Sequence, residues 1–218
     1  MKTKSKVLLV TLCVVLLVVG TVMGTLAYLT DSKEVVNTFT VGDVEIKVDE
    51  TDVNPDGTPI PGADRVEGNE YHLIPGQTYM KDPTMTVIKG SEEAYVRMMV
   101  TINCISELRA IFGADFLPHE FIEGKDSNIW IYESTTENGD NTVTYEFRYY
   151  KTVDAFEATE DIVLEPLFTS FTIPGKMDGD ELATIQDLEI AVVGHAIQTL
   201  GFDNDDAAWA AFNVQMNG

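Results

Sequence analysis

The side chains best suited to bind a cation are those of Asp52, Asn54 and Asp56, which alternate along the chain and are followed by Gly57. Alternate oxygen-bearing side chains converge on Ca²⁺ in the first half of a calcium-binding loop, and glycine permits its tight turn. The acid that closes such a loop at its twelfth position is missing, because Ala63 stands there. The sequence therefore favours a rigid turn without metal, with calcium binding at Asp52, Asn54 and Asp56 as the alternative.

Histidine-based zinc chemistry has weak support in this sequence. The histidines are His72, His119 and His195, and no spacing joins them into a ligand set. His119 starts a segment similar to the zinc-protease motif His-Glu-x-x-His, but Glu123 occupies the position of the second histidine. The sequence contains neither the Gly-x-Ser-x-Gly turn of hydrolases nor a phosphate-binding glycine loop. We therefore predict a non-enzymatic protein without a catalytic cofactor.

The N-terminal residues have the three parts of a secretory signal peptide. Three lysines among the first six residues precede the apolar run Val7–Val19. The small residues Thr25 and Ala27 occupy the −3 and −1 positions of a cleavage site before Tyr28. We therefore predict that residues 1–27 are a signal peptide and that the rest of the chain is secreted.

The alternative for the same segment is a retained membrane anchor. Residues 7–29 carry no charge and are long enough to cross a bilayer. Glycine and threonine dilute the distal part of this segment, however, and no basic stop-transfer cluster follows it. Cleavage is therefore favoured, and membrane contact is expected only through the uncleaved signal peptide.

The composition is strongly acidic. The sequence has 14 basic and 36 acidic residues, for a formal net charge of −22. Nucleic acids and anionic membrane surfaces are bound by clustered Lys and Arg, so this composition argues against both as partners. Cys104 is the only cysteine beyond the predicted signal peptide, so a packed core rather than an intrachain disulfide must stabilise the protein. Residues 28–218 are enough for one globular domain.

Alternation of apolar and polar residues with a period of two dominates the chain. Residues 95–104 predict a strand with its even positions toward the core, which include Cys104. Further strands are predicted at 44–48, 71–74, 84–89, 129–133, 143–149, 162–164, 167–173 and 188–193. Many short strands with polar turns predict an all-β fold, an antiparallel β-sandwich.

The remaining segments predict short helices and loops. Short helices inserted between the strands are expected at 106–112, 180–185 and 203–212. Residues 49–70 form the main loop, because the prolines of this acidic segment exclude a central strand. Residues 134–142 are predicted to connect two strands of a hairpin through Asn138-Gly139, a dipeptide that favours a tight turn.

Four stretches of the chain together resemble a known group of exported proteins. They are Gly24–Asp31, Asn37–Val44, Leu73–Thr78 leading to Lys81-Asp82-Pro83, and Ala196–Phe202 followed by Ala207-Ala208-Trp209. The sequence is similar here to Gram-positive exported proteins of the TasA and camelysin type, which are processed by a SipW-type signal peptidase. The resemblance implies a jelly-roll-like β-sandwich and a partnership with that peptidase during export.

The resemblance also implies a function in the extracellular matrix or at the cell surface. Fibre-forming relatives build biofilm filaments in which the freed N-terminal segment of one subunit adds as a strand to the next. Here that donor segment would be residues 28–41, with Val35, Val36 and Phe39 filling grooves of the neighbour, and the partners would be further copies and other matrix components. The alternative is that residues 28–41 form the first strand of their own domain.

Two other functions are compatible with the same resemblance. Camelysin-type relatives are cell-surface metalloproteases, but the missing zinc-protease motif argues against that activity in this chain. A monomeric adhesin or binding module is the third hypothesis. The sequence favours a secreted, self-associating structural protein over both.

Overall fold

The alternating segments form the strands of the protein in the computed structural model, which describes residues 39–41 and 43–217. All of these residues belong to one compact unit. In chain order the strands are β1 (Phe39–Val41), β2 (Ile46–Asp49), β3 (Thr78–Met80), β4 (Thr84–Val87), β5 (Ala94–Ile102), β6 (Ile122–Glu123), β7 (Trp130–Glu137), β8 (Val143–Tyr149), β9 (Ile162–Val163), β10 (Ser170–Thr172) and β11 (Ile190–Gln198). The helices are α1 (Ile105–Phe112), α2 (Gly179–Thr184) and α3 (Asp205–Asn217), with a 3₁₀ turn at Pro118–Phe121.

The strands form three sheets. The largest has the order β1-β11-β5-β8-β7, and the two smaller ones have the orders β3-β10-β6 and β2-β4-β9. β5 pairs with β11 along all of its residues and with β8 on its other side. These ladders are antiparallel, which confirms the predicted all-β antiparallel sandwich with a few short helices.

The core lies between the five-stranded sheet and the smaller sheets. The even positions of β5 that were predicted to face inward are buried, with Val96 1% exposed and Met98, Val100 and Ile102 fully enclosed. Side chains of β2 and β4 join the same apolar cluster. The period-two pattern therefore identified the buried face of the central strand correctly.

Helix α3 covers the other face of the five-stranded sheet. Asn204 begins this helix, because its Oδ1 accepts a hydrogen bond from the backbone N–H of Ala207. Trp209 and Phe212 are three residues apart, so they lie on one side of the helix, where they form a second apolar cluster with Ile197 of β11. The C-terminal helix thus converts an otherwise exposed sheet face into a second core.

Three local predictions were wrong. Cys104 does not continue β5: it is half-buried and has φ 55°, so the chain turns there into α1. Residues 71–74 form no strand, because the Tyr79 hydroxyl takes the backbone partners a strand would use, donating to the carbonyl of His72 (2.7 Å) and accepting from the N–H of Ile74 (2.6 Å). Residues 134–137 belong to β7 and pair with β8 as far as Glu137, which shortens the predicted connection.

The loop at 49–70 is fastened to the sandwich by Arg65. Its guanidinium donates to Asp49 Oδ1 (2.5 Å), to Asp82 Oδ2 (3.0 Å) and to Thr84 Oγ1 (2.8 Å). A guanidinium has five donors in a rigid fork, so one arginine can hold several acceptors at once. The predicted loop is therefore confirmed as strand-poor, and its return limb is held against the start of β4.

Candidate assembly edge

The outer edge of β11 is where β1 joins the large sheet. Within the described residues, β1 pairs with β11 in parallel over three positions, with Phe39 opposite His195 and Val41 opposite Ile197. On its other side β11 pairs with β5 along all of its residues. Backbone N–H and C=O groups at a sheet edge can pair with an added strand.

Close packing beneath β11 keeps this edge strand in place. Gly194 lies on the inner face, where a Cβ atom would fall 2.5 Å from Val48 Cγ2 and 2.8 Å from Met85 Cε. Glycine inside a strand commonly marks such a close approach. The absence of a side chain at Gly194 therefore allows β2 and β4 to pack directly against β11.

A buried arginine supports β11 from the other face. Arg97 of β5 is 3% exposed, and its Nε donates to His195 Nδ1 over 3.1 Å. Its Nη2 donates to Asn213 Oδ1 of α3 over 2.7 Å, and its guanidinium carbon lies 4.2 Å from the centre of the Trp209 ring. A cation over an aromatic face is stabilised by the ring quadrupole, more so when it is shielded from water. Arg97 therefore joins β5, β11 and α3.

A second arginine extends this polar layer to the start of α3. Arg148 of β8 donates to Glu146 Oε1 (2.8 Å), and its Nη1 donates to Asp205 (2.9 Å) and Asp206 (2.7 Å). Glu146 also accepts from Arg97 Nη1 at 3.4 Å. Asp205 and Asp206 lie in the first turn of α3, where acids suit the positive end of the helix dipole, and they thus also hold the helix to the sheet.

His195 is held neutral by this environment. Burial is the largest cause and the neighbouring Arg97 charge the next, and together they lower the pKa of His195 to about 4, against a smaller opposing effect of Glu146. The neutral ring can offer Nδ1 as an acceptor, which the Arg97 hydrogen bond requires. Burial also lowers the pKa of Arg97.

The sequence analysis did not predict the polar layer between the large sheet and α3. Arg97, Glu146 and Arg148 are polar positions of alternating strands, and such positions normally face solvent. The signal that could have found them is the pair Trp209 and Phe212, since two large rings on one side of a helix need a surface to cover.

The opposite edge of the large sheet differs from the β11 edge. The register of β7 against β8 shifts between Tyr132 and Ser134, which is a β-bulge or local irregularity. Its side chains beyond Trp130 are exposed and include Glu133 and Glu137. Bulges and charged side chains are devices that discourage edge-to-edge pairing. The β7 edge is therefore a poor site for strand addition.

The predicted cation ligands lie in a turn that is closed by its own hydrogen bonds. Asn54 Nδ2 donates to Thr58 Oγ1 (3.0 Å), and Asp56 Oδ1 accepts from both the N–H (3.0 Å) and the Oγ1 (2.6 Å) of Thr58. These bonds lower the pKa of Asp56. They describe the rigid turn that the sequence favoured, to which Asp52 contributes its backbone carbonyl by accepting from the N–H of Ile60 over 2.9 Å. Calcium binding at Asp52, Asn54 and Asp56 stays a prediction.

The three histidines lie in different environments. His119 packs edge-on against Tyr145, with ring centres 5.1 Å apart, whereas His195 lies under α3 and His72 is exposed. Among the described residues, no group of three or more His, Cys, Asp or Glu side chains is arranged to hold a metal ion. In the same part of the chain, no helix has the length and apolar character needed to cross a bilayer.

The predicted processing and assembly residues are mostly outside the described part of the chain. Thr25, Ala27 and Tyr28 of the cleavage site and Val35 and Val36 of the donor segment all lie there. Phe39 is described by its backbone, which belongs to β1 and pairs with the same chain's β11.

Comparison with known proteins gives no relative from which to transfer a function. No family profile matches the chain, and neither a curated protein nor a solved structure matches it. The functional argument therefore depends on the sequence and on the geometry described above.

Proposed function

We propose that this chain is a secreted, non-enzymatic structural protein of the cell surface or extracellular matrix, which self-assembles into filaments by strand addition. Residues 28–41 would be freed by a SipW-type signal peptidase and would pair with β11 of the next copy. The observation that carries the proposal is the position of β1 at the outer edge of the large sheet. Within the described residues, Phe39–Val41 pair with His195–Ile197 of the edge-forming strand β11, so the end of the predicted donor segment lies on this edge.

The same edge offers an exchange between two pairings. In a single molecule, β1 occupies positions 195–197 of its own β11. In an assembly, the corresponding segment of a neighbour would take this place. Each added residue would contribute backbone hydrogen bonds, as in other cases where an extended segment completes a sheet. The pairing within one molecule and the pairing between molecules use the same edge of β11, so assembly needs no further binding surface.

The geometry of this exchange favours an open polymer. The donor is the N-terminal segment and the acceptor is the outer edge of β11, so the two surfaces differ. Contacts between unlike surfaces give rings or open filaments, depending on whether the rotation closes. The bulged, acidic β7 edge would restrict growth to one acceptor edge per subunit.

The charge of the protein sets the conditions for assembly. The processed subunit lacks Lys2, Lys4 and Lys6, so it has 11 basic and 36 acidic residues, and its formal net charge of −25 makes neighbouring subunits repel each other. The Debye length falls to about 8 Å at physiological ionic strength, so salt or divalent ions screen most of this repulsion. Filament formation should therefore increase with ionic strength up to the physiological range.

Electron microscopy of the processed protein tests the proposal. We expect filaments from the chain that starts at Tyr28 and none from a variant lacking residues 28–41. The variant must keep the circular dichroism and cooperative unfolding of the parent, which shows that its domain is intact. A processed chain that stays monomeric over a wide range of concentration, salt and calcium contradicts the proposal.

A further inference from the structure

A cluster at the base of the loop joins a buried lysine and a buried glutamate to a half-buried asparagine. Lys81 Nζ donates to Glu50 Oε2 over 2.7 Å, and Asn69 Nδ2 donates to Glu50 Oε1 over 2.8 Å. The side chains of Lys81 and Glu50 are 10% and 3% exposed. One carboxylate therefore holds an amine and a carboxamide side by side, one on each of its oxygens.

The carboxamide is fixed by further hydrogen bonds. Asn69 Oδ1 accepts from the backbone N–H of Val53 over 2.9 Å, and Nδ2 also donates to the carbonyl of Thr51 over 2.8 Å. Glu50 itself is anchored by two backbone hydrogen bonds to Val66, both 2.8 Å long. Hydrogen bonds at both Oδ1 and Nδ2 therefore fix the orientation of the Asn69 amide.

Aromatic side chains enclose the same region. The Tyr71 hydroxyl donates to the carbonyl of Met80, the residue before Lys81, over 2.9 Å. Its ring packs edge-on against Phe171, with centres 5.1 Å apart, and against Tyr79 at 5.6 Å. Burial and the charge of Glu50 raise the pKa of Tyr71, which places that carboxylate close to the phenol. The ion pair of Lys81 and Glu50, with side chains 10% and 3% exposed, is therefore poorly solvated.

We propose that Lys81 and Asn69 form an intramolecular amide crosslink, with Glu50 as the catalytic residue. Proton transfer from the Lys81 ammonium to Glu50 leaves a neutral amine, which attacks Asn69 Cγ. Charge develops on Oδ1 in the tetrahedral intermediate, and the N–H of Val53 is already placed to stabilise it. Glu50 then gives its proton to Nδ2, the Cγ–Nδ2 bond breaks, and ammonia leaves as the Nζ–Cγ amide forms.

The reaction balances without an oxidant or any further reactant. The Lys81 ammonium begins with three protons. One stays on the new amide, one completes the departing ammonia and one is left on the Glu50 carboxyl. An amine and an amide on separate molecules react very slowly. Here the hydrogen bonds hold the two groups next to each other, and positioned groups react as if at very high concentration.

Peptide mapping tests the crosslink, because trypsin does not cleave after an acylated lysine. Trypsin cuts an unmodified chain after Arg65, Lys81 and Lys89, which gives linear peptides 66–81 and 82–89. For protein incubated folded at neutral pH and then denatured for digestion, we expect a single peptide 66–89, lighter than its sequence by one ammonia. Fragmentation should place the link between Asn69 and Lys81.

Two variants test the roles of the groups. Glu50→Gln removes the base at nearly constant size, and Lys81→Arg removes the nucleophile while keeping the charge. We expect both to give peptides of full mass that are cleaved after position 81. Asn54→Ala is the matched control, because Asn54 is hydrogen-bonded to Thr58 instead of Glu50, and it should keep the crosslink.

Three results would overturn the proposal. The first is wild-type protein that yields linear peptides 66–81 and 82–89 at full mass. The second is loss of ammonia with normal cleavage after Lys81, which indicates a succinimide at Asn69. The third is an unchanged crosslink in Glu50→Gln. The first two need no variant, so they decide the matter even where a substitution prevents folding.

Discussion

The guanidinium carbon of Arg97 lies 4.2 Å from the centre of the Trp209 ring, and this contact joins the central strand to the C-terminal helix. Arg97 is at the same time hydrogen-bonded to His195, in the strand to which β1 pairs. The helix, the buried arginine and the proposed acceptor edge are therefore parts of one layer. Substitutions in α3 that disturb Arg97 should therefore also affect the edge strand β11.

Removing the Trp209 ring should destabilise the protein strongly. Trp209 is 2% exposed, and Trp→Ala substitutions in a core cost about 3–5 kcal/mol of unfolding free energy. We expect Trp209→Ala to lose that amount in urea unfolding and Trp209→Phe to lose less, because it keeps an aromatic face for Arg97. Val214→Ala on the same helix is the control, since Val214 is 74% exposed and its loss should change stability by less than about 0.5 kcal/mol. Equal effects of Trp209→Ala and Val214→Ala would show that α3 is not held by this contact.

The stability of the fold should depend on pH through His195. Its pKa is about 4 when folded and near 6.5 when exposed, so between these values the unfolded chain binds more protons. The stabilisation is therefore complete above pH 6.5 and is lost as pH falls toward 4, by about 3 kcal/mol in all. We expect His195→Gln to flatten this dependence, because a neutral amide oxygen can accept from Arg97 at every pH.

Comparing His195→Gln with wild type separates the contribution of His195 to the pH dependence from that of the carboxylates, which both proteins share. Urea unfolding at pH 7, 6, 5 and 4 should show the two proteins diverging most between pH 6.5 and 4. His72→Gln removes an exposed imidazole and should follow wild type. Parallel curves for wild type and His195→Gln would contradict the assigned role of His195.

A methyl group at Gly194 should disturb the packing of β11 on β2. The added Cβ would fall 2.5 Å from Val48 Cγ2, and a branched side chain in a strand has few rotamers with which to move away. We expect Gly194→Ala to cost about 1–3 kcal/mol in thermal or urea unfolding. Gly139→Ala is the matched control, because nothing lies within 4 Å of its Cβ position. Combining Gly194→Ala with Val48→Ala should cost less than the sum of the two, and strict additivity would show that the residues do not meet.

Losing Arg65 should release the loop at 49–70 without unfolding the sandwich. Its guanidinium donates to Asp49, Thr51, Asp82 and Thr84, and hydrogen bonds that involve a charged group contribute a net of about 1.5–3 kcal/mol each, less where the group is partly exposed to water as Arg65 is. We expect Arg65→Ala to speed hydrogen exchange in residues 50–66 by at least about tenfold, which corresponds to 1.4 kcal/mol of local opening free energy. Lys89→Ala is the control. Unchanged exchange in residues 50–66 would show that the loop is held by other contacts.

The sequence predicted the sheets better than it predicted the connections between them. Alternation identified β5, β8 and β11 and the buried face of β5, because one buried side imposes a period of two. It failed at Cys104, where Ile105 bonds to the carbonyl of Asn141 and the chain leaves the sheet. Local patterns carry no information on such distant partners.

The same limit applies to the sites. Arg97 and His195 are 98 positions apart, and their hydrogen bond depends on the register of two strands. Lys81 and Glu50 are 31 positions apart, and nothing in the sequence between them indicates that they meet. The calcium-like spacing of Asp52, Asn54 and Asp56 was visible because it is local, and the structure explains two of its members by their bonds to Thr58.

Strand addition at β11 is tested most directly with a peptide of residues 28–41 added to isotope-labelled protein that lacks those residues. We predict that the peptide binds and that amide chemical shifts change along residues 190–198, while a peptide with Thr40→Pro binds more weakly because proline cannot donate a backbone hydrogen bond. Absence of binding, or shift changes centred on residues 130–137 of β7, would contradict the account.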